Sequence, residues 1–204
     1  MKPLLALLFA APLLSCGGQA TAPLSLTFPM GPKEVRLALG QQFPDVLAPD
    51  DAIWPATEPA MTVDVKAVEA APFSLPSAPA FAGKTLELDG ASVSVDTAGS
   101  PFDSVELFVG PAGATSVTDA QVVDLGHASV ARSKGSATAL TWSANGPGLL
   151  AAALDGKLDG QNGKRSATFL LEGRAPVGLS PGQALPASTP AEKVRVDIPI
   201  RYLP

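Results

Sequence analysis

His127 is the one histidine in the chain, and it stands two residues before Ser129 in Asp124-Leu125-Gly126-His127-Ala128-Ser129. A hydroxyl beside an imidazole is the smallest pairing that supports nucleophilic catalysis, because the imidazole can take the proton as the oxygen attacks. On a strand, side chains two apart point the same way and run in parallel. Parallel side chains align poorly for in-line proton transfer. No G-x-S-x-G elbow and no S-x-x-K motif accompanies the pair. His127 is therefore read as an ordinary strand histidine, and no catalytic residue is assigned.

Carboxylates offer a second chemistry. Asp155, Asp159 and Gly160 occupy the first, fifth and sixth places of an EF-hand-like calcium loop. Lys157 then stands where an oxygen ligand is needed, and Ser166 where a bidentate glutamate is needed. A cation in a ligand position repels the metal, so the stretch reads as a helix end followed by Asp-Gly and Asn-Gly turns. Asp45, Asp50 and Asp51 could gather around a divalent ion, but solvated loop carboxylates explain them equally, and no metal is assigned. Trp54, Trp142 and Tyr202 could form a sugar-stacking platform. Aromatic residues make up 5% of the chain, too few for the exposed rows such platforms use. Trp142 and Tyr202 fall in strand patterns and read as core. Trp54 falls in a proline-rich loop and is the possible ligand contact.

Cys16 is the only cysteine. Ahead of it lie Lys2 and an uncharged run, residues 3–14, rich in Leu and Ala. A membrane-spanning helix needs roughly 20 apolar residues, so this run is too short to cross and has the length of a signal-peptide core, about 7–15 residues. It closes on the small residues Ser15, Cys16, Gly17 and Gly18. Leu13-Leu14-Ser15-Cys16 resembles the lipobox of bacterial lipoprotein precursors, with an aliphatic residue three places before the cysteine and a small one just before it. The resemblance covers residues 1–18. It implies a signal peptide over 1–15, cleavage before Cys16, a diacylglyceryl group on the thiol, and often a further acyl chain such as palmitate on the new amino group. It also implies a cell-envelope location with the lipid bilayer as partner. Gly17 in place of the inner-membrane-retention aspartate leans toward the outer membrane. Two or more chains are needed for stable anchoring, because one chain holds only marginally at about 0.8 kcal/mol per methylene. With Cys16 lipidated, no thiol remains for a disulfide, a Cys-ligated metal or a nucleophile.

The formal net charge is −5, which supplies no electrostatic footprint for nucleic acid. An acidic surface is also mildly repelled by anionic headgroups, so the lipid must provide the attachment. No cofactor is implied. The 204 residues suffice for a signal peptide, a lipidated tether over 16–23 and one domain over 24–204.

The elements that must position these residues are strands. Period-2 alternation marks residues 24–28, 34–39, 61–68, 104–110, 121–131, 138–142 and 166–172. Residues 84–96 alternate around Gly90, which predicts a bulge or a turn between two pairings. Residues 193–202 give the cleanest pattern, with Val194, Val196, Ile198, Ile200 and Tyr202 on one face; Pro199 predicts an edge position or a bulge. Proline-rich residues 43–60, 72–79 and 173–192 read as connectors. One helix is predicted near 147–155, with Pro147 in its first turn, Leu149, Leu150, Ala153 and Leu154 at helical spacing, and Gly156 as its left-handed stop. No βαβ rhythm is present. The expectation is an all-β chain, an antiparallel β-sandwich with immunoglobulin-like architecture and one short helix. Its expected function is that of a membrane-anchored envelope lipoprotein, a non-catalytic binding or assembly module that could engage another envelope protein. The alternatives are a hydrolase with a dispersed active site, or a carrier with an apolar cavity between the sheets.

Overall fold

The computed structural model describes residues 20–30, 36–38, 46–47, 53–74, 85–88, 90–96, 102–130, 135–184 and 192–203. Cys16, Asp45, Asp50 and Asp51 lie outside the described residues, as does the side chain of Tyr202. The strands are β1 (Ala20–Met30), β2 (Arg36–Ala38), β3 (Val46–Leu47), β4 (Met61–Ser74), β5 (Thr85–Leu88), β6 (Ser92–Val95), β7 (Ser104–Pro111), β8 (Val123–Ser129), β9 (Ala137–Ala139), β10 (Thr141–Trp142), β11 (Ser166–Leu179) and β12 (Glu192–Leu203), with one helix, α1 (Gly146–Leu154). They form two sheets, β1-β12-β6-β9 with β5 also on β12, and β10-β8-β7-β11-β4-β2-β3. Every pairing is antiparallel.

Alternation decides which faces meet. Leu24, Leu26, Phe28 and Met30 on β1 and Val194, Val196, Ile198 and Ile200 on β12 are all buried. From the other sheet, Val105, Leu107 and Val109 on β7 and Phe169 and Leu171 on β11 join them in one apolar cluster. Two inward faces sharing one core make the chain an antiparallel sandwich, as the strand pattern predicts. The helix closes the cluster with Leu150, Ala153 and Leu154. Gly156 terminates it at φ +73°, and the Lys157 N–H donates to Ala152 O at 2.8 Å, the bond expected past a left-handed stop.

Prolines lie inside strands more often than the sequence pattern predicts. β4 runs on through Pro72, β11 through Pro176, and β1 through both Pro23 and Pro29. Each sits where its strand has a single neighbour among the described residues, so the missing N–H breaks no second ladder there. β1 is an edge. Pro176 lies beyond the last β7 pair at Arg174, and Pro72 beyond the β2 pairs at 64–66. Pro199 belongs to an interior strand, which corrects the edge expectation. It falls between the β6 pairs ending at Asp197 and the β5 pairs starting at Ile200. Gly90 lies in the matching gap between β5 and β6, as its place in the alternating run predicts. The expected tether gives way to strand at Ala20, which pairs with Tyr202.

The predicted strand over 138–142 divides between the sheets. β9 pairs with β6, β10 pairs with β8, and buried Leu140 is the only residue between them. The join requires β8 to bulge. Leu107 pairs with Gly126 while Phe108 pairs with Asp124, so Leu125 is extra and turns fully inward. Gly126 has φ +154°, and a Cβ there would lie 2.4 Å from Thr141 O. Gly126→Ala should cost about 2–3 kcal/mol, from the forbidden φ and the backbone displacement combined. Urea denaturation reads this directly; a midpoint matching the parent would contradict the assigned bulge.

Candidate functional site

Among the described residues the most exposed apolar feature is a tip built from two turns. In Ser180-Pro181-Gly182-Gln183 the Gln183 N–H donates to Ser180 O at 2.9 Å, and Gly182 has φ +76°. Proline then glycine at the centre of a four-residue turn is the type II pattern. The turn presents its backbone to residues 53–54. Trp54 N–H donates to Gln183 O at 2.8 Å, Gly182 N–H donates to Trp54 O at 2.9 Å, and Ile53 bridges Ala184. In a second turn, Glu58 N–H donates to Pro55 O at 3.1 Å.

Ile53 is 61% exposed, the one large hydrophobic left in water among the described residues. Around it Pro55, Ala56, Pro59, Ala60, Pro181 and Ala184 are also exposed. Glu58 is the sole charge in residues 53–61 and 179–184. Trp54 is half-buried, and its indole N–H already donates to Pro59 O at 3.0 Å. The indole can therefore offer a new contact only its apolar face. The sequence singles out Trp54 but not Ile53, because nothing in a proline-rich loop tells which of two adjacent apolar residues turns outward.

The outer face of the seven-stranded sheet carries a charged strip. Arg174 Nε donates to Glu172 Oε1 at 2.7 Å and its Nη2 to Glu106 Oε2 at 2.9 Å. Lys66 Nζ lies 3.8 Å from Glu172 Oε1. The Glu172 side chain is only 4% exposed, and these two cations are its ion-pair partners. Cross-strand register explains the gathering: Glu172 opposes Glu106, and Arg174 opposes Lys66. The network clamps β4, β7 and β11 together, and its carboxylates are occupied by their own cations. His127 opposes Glu106 on β8 and is exposed, as is Ser129. Neither the imidazole nor the Ser129 hydroxyl hydrogen-bonds to a described residue. The two share a face but form no nucleophile–base pair there.

The loop after α1 is organised by Gln161, which is 3% exposed. Its Oε1 accepts from the Leu158 N–H at 2.9 Å, while its Nε2 donates to Ala153 O at 3.0 Å and Ser166 O at 2.9 Å. An amide thus fills the middle of the loop and joins the helix end to β11. Asp155 pairs with Lys157 at 2.8 Å, the residue that breaks the calcium pattern. Gln161 carries no sequence signal, since a glutamine in a Gly/Asp-rich loop usually faces water. Among the described residues no group of three His, Cys, Asp or Glu is placed to hold a metal ion. Trp142 is half-buried and packs against the core. An open cleft of roughly 490 Å³ lies along residues 111–114 and 119–122, with Asp119 its one charged group. No family model matches this chain, and neither a curated protein nor a solved structure matches it.

Proposed function

We propose that the protein is a lipid-anchored envelope module that binds a partner through its Ile53–Trp54 tip and transforms no substrate. The anchor rests on the lipobox resemblance at residues 13–16. The binding reading rests on one observation: the core is filled while the tip is bare. Phe28, Phe102, Phe169, Leu107, Leu125 and Ile198 have essentially no accessible surface, so no ligand-sized void adjoins them. That speaks against a carrier with its cavity between the sheets. Exposed Ile53, by contrast, stands among the exposed apolar residues Pro55, Ala56, Pro59, Ala60, Pro181 and Ala184, and grouped exposed apolar residues of this kind mark contact sites.

The partner of such a tip is a protein with a shallow, uncharged, apolar recess. Burying one isoleucine contributes about 1.5–3 kcal/mol, or roughly 10- to 100-fold in affinity. Ile53→Asp should therefore lose at least tenfold of the protein captured by the parent after cross-linking in native membranes. The thermal midpoint should stay unchanged, because the site is exposed. Identical capture by parent and variant, or no capture by the parent, would refute the reading.

A further inference from the structure

The β9–β10 hand-over aligns the two sheets end to end. Ala139 opposes Ser92 in one sheet, and Thr141, two residues later, opposes His127 in the other. Continuing in that direction, β1 ends at Ala20, β4 at Ser74, β7 at Pro111 and β11 at Ser166. In the opposite direction lie Met30, Glu192, Met61 and Leu179, and past them the tip. A second connection agrees. Val130 comes directly after the Ser129 end of β8, and five residues on, the Gly135 N–H donates to Val95 O at 2.9 Å. The tip and Ala20 therefore occupy opposite ends of the sandwich. The 11 residues of β1 alone span about 34 Å.

Cys16 precedes Ala20 by four residues, a reach of at most about 14 Å whatever path they take. We infer that the anchored sandwich meets the lipid headgroup surface with the end bearing Ala20 and the loops at 112–122 and 155–165, and holds the Ile53–Trp54 tip away from the bilayer. This rests on the lipid-anchor reading above. The short reach denies the domain the free swing of a flexible linker. Pairing of β1 with β12 along its whole length makes the attachment part of the sheet. The charge of the membrane-facing end suits a headgroup surface. In those two loops Asp119, Asp155 and Asp159 are matched by Lys157, Lys164 and Arg165, although the chain is acidic overall. The apolar tip is thus presented to whatever lies beyond the membrane surface.

Because Cys16 is the only cysteine and would be alkylated, an introduced cysteine becomes the one free thiol. Ile53→Cys and Lys164→Cys place it at exposed positions at the two ends. Each lipidated full-length variant is labelled with the same fluorophore on phosphatidylcholine vesicles carrying headgroup-nitroxide lipid. The Lys164→Cys label should be quenched several-fold more than the Ile53→Cys label. A long Gly/Ser insertion after Gly18 should erase the difference. Equal quenching, stronger quenching at Ile53→Cys, or a difference that survives the insertion would overturn the orientation. Flotation separates the two readings: a chain that fails to float with the vesicles overturns the anchor, and the orientation with it. A floating chain with the reverse pattern overturns the orientation alone.

Discussion

Cys16→Ala should abolish incorporation of a fatty-acid probe and release the chain from membranes, with no change in thermal midpoint. On the proposed lipid-anchor reading the effect is all-or-none, because acyl chains on Cys16 are the only attachment that reading supplies. Each buried methylene contributes about 0.8 kcal/mol, so losing two or more acyl chains removes tens of methylenes at once. The acidic chain, at net charge −5, has no polybasic segment to compensate. The fold should survive, because the described core begins at Leu24, eight residues past Cys16. Probe incorporation and membrane fractionation of the variant check the first two outcomes, and a melting curve checks the third. Undiminished labelling would remove the lipoprotein reading while leaving the sandwich untouched.

Phe169→Ala should be strongly destabilising. Phe169 is fully buried on β11, between Ala71 of β4 and Val109 of β7. Its ring meets Phe73 edge-on, with centroids 5.8 Å apart and planes at 79°. Truncating a buried phenylalanine costs about 3–5 kcal/mol through lost transfer energy and the cavity left behind. Domains of this size have only about 5–15 kcal/mol in total, so the variant should unfold at markedly lower denaturant. Phe169→Leu keeps most of the volume and should cost roughly 1–1.5 kcal/mol. Urea titrations of both variants give the comparison. A loss below about 1 kcal/mol for the alanine variant would mean that the two sheets do not share the core described here.

Sandwich architecture is legible from alternation because period-2 burial is local. β12 shows this best: Val194, Val196, Ile198 and Ile200 are buried as their spacing predicts, and Lys193 and Arg195 face water. The helix is equally legible, since Pro147, the apolar spacing and Gly156 are all near neighbours in sequence. Prolines mislead for a definite reason. A proline forbids a ladder bond on one side of a strand, and sequence does not say whether a neighbour stands on that side. Pro72, Pro176 and Pro199 all stand where, among the described residues, their strand is paired on one side only, so β4 and β11 run on and β12 stays interior.

Features set by neighbouring residues are readable in the chain: strand faces and helix ends. Features that depend on residues far apart needed the tertiary structure. Ile53 is bare and Trp54 half-hidden because a turn more than a hundred residues later supplies their backbone partners. Glu172 is tolerated near zero exposure because Arg174 and Lys66 arrive from the same strand and the next one. The tip opposes Ala20 because Leu140 hands the chain from one sheet to the other and sets their relative direction. Each depends on at least one long-range pairing, and composition and periodicity carry no information about which distant segments meet.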